Sequence, residues 1–245
     1  MEVYSKLIFG SMRMSEYDYS VLYWVDLFDK MHDSGIFVHH VSSEYDSYVL
    51  YITVLKEFNL KYPNKQILHL VKLAEPHFER SKFDPKLFQS KIDKYLTDLN
   101  VSKLWGIQWM WRGDLNNEIS RLDNFKEHIE LLNSTVFELK KNNVIDGFYL
   151  FSYTKTFCEL ARLLSKQLNT TVFDGLTVYR NIHENEFDIY LDSFERNIII
   201  RPLFAGKLET SLSKKQLVEY ALNHGKVTNG IISISSVDKL CELLS

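Results

Sequence analysis

The sequence predicts a closed (β/α)8 TIM barrel, a single domain over residues 1–245. Three observations predict it. Eight short apolar or β-branched stretches alternate with eight helical periodicities, the connections are short, and no proline-rich linker or change of composition divides the chain. Repeated strand–helix units imply a parallel sheet, and eight of them in about this length imply closure. An open doubly wound sheet is the alternative, but the glycine-rich dinucleotide fingerprint after a first strand is missing.

The elements follow in order. Lys6 to Met12 reads as the first strand, and Val21, Trp24, Val25, Phe28 and Met31 give helical spacing behind it. Gly35 ends that helix, and Ile36 to Val41 is β-branched enough for a buried strand. Tyr48, Tyr51, Ile52, Leu55 and Phe58 mark the second helix, closed off by Pro63, before a third strand over Gln66 to Leu73. Asp84-Pro85 is a helix start, a capping side chain with proline at the first helical position. Leu87, Phe88, Ile92, Tyr95, Leu96 and Leu99 form the buried face that follows. A fourth strand over Lys103 to Met110 leads to the most regular helix, with Leu122, Phe125, Ile129, Leu132, Val136 and Leu139 spaced by three and four. That seam covers too few heptads for a coiled coil to be preferred. The fifth unit is Ile145 to Ser152 with Phe157, Leu160, Ala161, Leu164 and Leu168. The sixth is Gly175 to Asn181 with a weaker helix near Phe187 to Phe194. Asn197 to Leu203 is the seventh strand, followed by a helix from Ser213 to Gly225. Gly230 to Ser235 is the eighth, followed by Val237, Leu240 and Leu244.

Composition bounds the function. A chain of 245 residues, 45% hydrophobic, can bury a large core. Its net charge of -3 with scattered basic residues argues against a nucleic-acid surface or a polybasic membrane patch. Cys158 and Cys241 form no disulfide framework, which implies a reducing, cytoplasmic setting. No signal-peptide pattern opens the chain, and no apolar run approaches the ~18 residues of a membrane span. A soluble intracellular protein is expected.

In such a barrel the active face lies at the carboxyl ends of the strands. Strand alternation puts Ile36, Val38 and His40 on one face, and Phe37 and His39 on the other. Leu68, Leu70 and Lys72 likewise share a face, as do Leu104, Gly106 and Gln108, each set apolar below and polar at the top. His39 and His40 point opposite ways and cannot chelate one metal ion, and no carboxylate or cysteine cluster supports a metal site. His69 faces the helices as a satisfied interfacial histidine. Trp109 and Trp111, near the mouth, are either packing residues or walls of a substrate pocket. A lone Lys72 reads as a surface lysine and a lone Tyr45 as a loop aromatic. Together, after neighbouring strands, they point to one pocket shared with His40 and Gln108. A phenol beside an ammonium suits proton delivery to a carbonyl oxygen.

With these residues in hand, the chain resembles an aldo-keto reductase nearly end to end. Leu7-Ile-Phe-Gly-Ser-Met-Arg-Met is similar to the family's first strand. Gly35-Ile-Phe-Val-His-His-Val-Ser-Ser-Glu-Tyr is similar to the segment carrying the catalytic aspartate and tyrosine. Lys72 falls at the catalytic lysine, and Ile107-Gln-Trp at the segment of the catalytic histidine. Asn181 resembles the asparagine closing a Gln-x-x-Tyr-Asn segment, with Thr177 where its glutamine is expected. Arg201-Pro-Leu-Phe-Ala-Gly-Lys-Leu resembles the loop that holds the cofactor pyrophosphate, which implies roles for Arg201, Leu203 and Gly206. The segment after the eighth strand implies an adenosine-phosphate site at Ser235, Ser236 and Lys239, beside the free amides of a helix start.

The resemblance implies an NADP or NAD cofactor, NADP being preferred, and a small-molecule aldehyde, ketone or sugar substrate. No nucleic-acid or membrane partner is implied. His40 stands where the aspartate is expected and Gln108 where the histidine is expected, so Tyr45 and Lys72 alone keep the family's catalytic identities. A neutral His40 can accept a hydrogen bond from Lys72 but cannot supply the lost charge, and Glu44 or Asp46 is a substitute carboxylate. An atypical reductase is the leading expectation. The alternatives are a cofactor- or partner-binding relative without turnover, and a sugar-modifying enzyme with His40 as base. The family's N-terminal hairpin and long C-terminal tail have no counterpart in the sequence, which implies an open pocket.

Overall fold

The structure is a computed structural model, and it describes residues 6–73, 78–79, 82–110, 118–151, 154–167, 172–206 and 210–244. Leu7–Gly10 (β1) pairs in parallel with Val38–Val41 (β2), and β2 with Leu68–Leu73 (β3). Phe78–Glu79 (β4) and Lys82–Phe83 (β5) form a small antiparallel ribbon outside the barrel, unforeseen because two-residue strands carry no periodicity. Beyond it, β3 pairs with Gly106–Trp109 (β6), and Phe148–Phe151 (β7), Gly175–Tyr179 (β8), Asn197–Ile200 (β9) and Val227–Ile232 (β10) follow in turn. The last strand, β10, closes on β1, so eight parallel strands make a complete ring, the (β/α)8 barrel.

The helices stand where the apolar periodicities put them. Val21–Asp33 (α1) is capped by the Ser20 hydroxyl, which accepts from the Tyr23 amide, and buries Trp24, Val25, Leu27, Phe28 and Met31. Gly35 leaves it at φ 87°, a left-handed turn that favours glycine. Tyr48–Lys61 (α2) follows β2. Pro85–Leu99 (α3) starts on the Asp84 carboxylate, which accepts from the Lys86 and Leu87 amides, and buries Phe88, Ile92, Tyr95 and Leu99. Glu118–Lys141 (α4) and Lys155–Gln167 (α5) complete the next units. Asp188–Leu191 (α6) is shorter than the Phe187–Phe194 expectation. The Asn197 amide takes the carbonyls of Leu191 and Phe194, which turns the chain into β9. Lys214–Leu222 (α7) begins in a Ser213/Gln216 capping box, and Val237–Leu244 (α8) ends the described chain.

The final strand begins at Val227, three residues before the expected start, with an irregular register between Val227 and Asn229. Polar Thr228 and Asn229 hide that part of the strand from a hydrophobicity reading. A 3-10 turn over Ser11–Glu16, also unforeseen, follows β1 directly.

Two apolar layers result. The larger lies between sheet and helices. The smaller fills the barrel with Ile8, Val38, Leu70, Tyr149, Ile198 and Ile231. Tyr149 plugs the lower end, stacked on Trp105 at 5.8 Å, with the Arg196 guanidinium 5.6 Å from the Trp105 ring. Space for that phenol explains two glycines, because a Cβ at Gly106 or Gly147 would lie 2.9 or 2.6 Å from it. Filling the interior this way places His40, Lys72 and Gln108 above an apolar layer, while Asn229 at the floor is buried with its amide donating to the Lys6 carbonyl. Residues 1–5 and Ser245, at the ends where the trimmed hairpin and tail were expected, lie outside the described residues.

Candidate active site at the barrel mouth

Strand alternation places the site. In register, His40 lies beside Leu70, and Lys72 beside Gln108, so His40, Lys72 and Gln108 all project inward, above the apolar filling. His40 Nε2 lies 2.9 Å from Gln108 Oε1. With the amide oxygen as partner, the imidazole donates from Nε2. Burial holds His40 well below its ordinary range, at about 4, and the neighbouring Lys72 ammonium adds to that effect. The imidazole is therefore neutral at pH 7, and its Nε2 bond goes to Gln108.

Tyr45 and Lys72 meet at the mouth. The Lys72 ammonium lies 5.5 Å from the centre of the Tyr45 ring, and the His40 and Tyr45 rings meet edge to face at 6.0 Å. Glu44 Oε2 lies 3.7 Å from Lys72 Nζ, so the substitute carboxylate nearest the ammonium is Glu44, while Asp46 is exposed.

Two hydroxyls tie this loop to β3. The Ser42 hydroxyl donates to the Lys72 carbonyl at 3.3 Å and accepts from the Glu44 amide at 3.3 Å. Tyr95, reaching across from α3, accepts from the Ser43 amide at 2.7 Å and donates to the same carbonyl at 3.1 Å. In the sequence Tyr95 stands on the buried face of its helix, as a core residue would. The missed signal is its polar tip on an otherwise apolar stripe, since a buried phenol needs a partner.

Other expectations change. Trp109 is no pocket wall. Next to inward-facing Gln108 it must face outward, and it is fully buried against Phe125, Phe148 and Phe173. Trp111 lies outside the described residues. His69 is interfacial but not satisfied, because neither ring nitrogen has a hydrogen-bond partner, and burial lowers it to about 3. His39 faces outward, with Nδ1 3.1 Å from the Tyr51 hydroxyl. No group of three potential metal-ligating residues occurs among the described residues.

The expected cofactor residues fall into two groups beside the mouth. Asn181 is not available to a ligand. Its amide donates to Glu184 and to the Arg201 carbonyl, and its oxygen accepts from the His183 and Glu184 amides, which uses its full hydrogen-bonding capacity. What it does is hold the next loop. There Arg201, Phe204 and Gly206 take φ of 57°, 46° and 80°. Left-handed backbone at the first two is costly, and such strain concentrates at ligand sites. Arg201 is exposed with its guanidinium 4.4 Å from the Tyr179 ring, Gly206 is exposed, and Leu203 packs on the outer core.

At the other group Ser236 starts α8, its hydroxyl accepting from the Lys239 amide. The Lys239 ammonium donates to the Ser235 hydroxyl at 2.6 Å and to the Tyr17 hydroxyl at 3.3 Å. A cleft bounded by Arg13, Tyr17, Trp24, Ser233, Ser235 and Lys239 opens beside them. Tyr17 is lowered, first by its Ser235 hydrogen bond and then by Lys239. Trp24 Nε1 is buried without a partner. Lys239, several hydroxyls, an orphan indole N–H and Arg13, whose guanidinium also pairs with Glu16 at 2.6 Å, are a donor set that fits a phosphate-bearing group. Arg13, Tyr17 and Trp24 were not foreseen, since the 3-10 turn that brings the first two here left no sequence signal.

Against solved structures the chain matches an aldo-keto reductase of Pseudomonas aeruginosa at 14% identity and TM-score 0.68, over 97% of this chain and 88% of that one. A second structure of such a reductase from the same organism gives 15% and 0.71, over the same shares. The barrel is similar in fold to those of aldo-keto reductases. A Bacillus halodurans aldo-keto reductase in its holo form agrees, at 15% identity and TM-score 0.66, over 98% of this chain and 85% of that one. No protein-family model and no curated protein matches the sequence. At such identities the aldo-keto reductase likeness is one of fold, and the chemistry rests on the mouth itself.

Proposed function

We propose that this protein is an NAD(P)H-dependent oxidoreductase that reduces an aldehyde, ketone or sugar carbonyl, with NADPH the preferred donor. The observation that carries the reading is the Lys72 ammonium against the Tyr45 ring, above a barrel filled with apolar side chains and beside the neutral His40–Gln108 pair. The nicotinamide supplies the hydride when it is bound. Tyr45 gives the phenolic proton to the carbonyl oxygen, and the adjacent Lys72 cation lowers the cost of the phenolate left behind. Gln108 accepts from His40 through its oxygen, which leaves its NH2 to orient the substrate oxygen. His40 shuttles no proton, because burial keeps it neutral. Arg13, Ser235 and Lys239 are the side chains that would hold the cofactor phosphates, with the strained loop from Arg201 to Gly206 following the neighbouring strand β9.

Tyr45→Phe tests the reading. Turnover of a panel of aldehydes, ketones and sugars with NADPH or NADH should fall by about 10²–10⁴-fold, the usual loss for a displaced acid. Unchanged turnover would show that the proton comes from elsewhere.

A further inference from the structure

We propose that Glu44 is the positioning carboxylate of this site, holding the Lys72 ammonium against Tyr45 from the loop after β2. The inference rests on the reductase reading for its catalytic meaning, though the ion pair itself can be measured without it. Lys72 is a largely buried cation, its side chain 13% exposed, and a cation so placed needs a counter-charge. His40 cannot provide one, being neutral and bonded to Gln108. Glu44 lies 3.7 Å away with its own side chain 21% exposed, so solvent weakens the attraction only in part.

The placement of Glu44 is built, not incidental. Ser42 binds both the Glu44 amide and the Lys72 carbonyl, and Tyr95 binds both the Ser43 amide and that same carbonyl. The backbone that carries the carboxylate is thereby pinned to the backbone that carries the ammonium. The charge that a strand-end aspartate would give has moved to a longer side chain on the next loop. Among the described residues, the titratable groups around Lys72 include His40, and Glu44 with Tyr45 from the loop after β2, and Tyr95 from α3. Of these, Glu44 is the carboxylate.

A nearby negative charge favours the protonated form of both Lys72 and Tyr45, so removing it should release the pair's first proton at lower pH. The test uses 13C-lysine-labelled full-length protein, with the Lys72 Cε resonance assigned by its loss in Lys72→Met. In Glu44→Gln the Lys72 midpoint should fall by about one pH unit, the lower end of the range for a partner at this distance. Adding His40→Asp should raise it again, by restoring a carboxylate at the strand end. Under turnover, Glu44→Gln should lower kcat about tenfold with KM for NADPH unchanged, and move the alkaline limb of the pH profile toward acid. An unmoved Lys72 midpoint in Glu44→Gln overturns the proposal. The reductase reading is tested separately by Tyr45→Phe, since the lysine titration needs no turnover. Gln is isosteric with Glu, and a folded spectrum accompanies each titration.

Discussion

Replacing Tyr95 with Phe should loosen the active-site loop from a distance. The substitution keeps the ring, which is buried in α3 and meets Tyr48 edge to face at 6.0 Å, and deletes one oxygen. That oxygen accepts from the Ser43 amide, lies 3.0 Å from the Ser43 hydroxyl, and donates to the Lys72 carbonyl. The carbonyl keeps Ser42 as a partner, and half-buried Ser43 can recruit water, so the loss is that of two ordinary bonds. At ~1 kcal/mol each, the cost is about 2 kcal/mol. For a chain of this length that lowers Tm by about 4–8 °C. The catalytic effect should be larger, because Tyr45 and Glu44 ride on the freed segment. A displacement of an ångström there costs about 10²-fold in kcat. Scanning calorimetry with steady-state kinetics reads both numbers, and amide exchange at Ser43 to Tyr45 should accelerate. A wild-type Tm together with wild-type kcat would refute the idea that this phenol clamps the loop.

Acid should destabilise the fold from about pH 6 downward. His39, His40 and His69 are all lowered by burial, His40 to about 4 and His69 to about 3. Unfolded, each binds a proton near pH 6.5, so their contribution is complete above that value and is lost as pH falls toward the folded values. Three such groups give a slope approaching ~4 kcal/mol per pH unit near pH 5. Urea titrations at pH 7, 6 and 5 should show it, His69→Phe should remove about a third, and a flat profile would contradict the burial argument. Gly175→Ala should prevent folding or cost more than ~4 kcal/mol, because its Cβ would lie 1.4 Å from the Arg196 carbonyl oxygen. Soluble variant with native near-ultraviolet circular dichroism and an unchanged Tm would count against that β8–β9 approach.

Much of the barrel was legible because its elements obey two periods. Alternation set the faces of β2, β3 and β6, and therefore which of His39 and His40 looks inward. The same rule should have turned Trp109 away from the mouth once Gln108 was placed inside it. Spacing by three and four found α1, α3 and α4, whose buried faces are continuous. Where local hydrogen bonding overrides hydrophobicity, the reading fell short. Asn197 stops α6, Thr228 and Asn229 disguise the start of β10, and the turn carrying Arg13 and Tyr17 has no repeat to detect. Site residues on strands were accordingly easier to find than those delivered by tertiary contact. Tyr95 belongs to the second kind, because its hydroxyl acts on a loop 52 positions away in sequence.

The most direct measurement is titration of the purified protein with NADPH and NADH, read as cofactor fluorescence or tryptophan quenching, beside the Lys239→Glu and Arg13→Glu variants. Saturable binding in the micromolar range, weakened at least tenfold by either charge reversal, is the result expected of a nicotinamide site reaching from Tyr45 to α8. Absence of binding at high micromolar concentrations of both dinucleotides would contradict it.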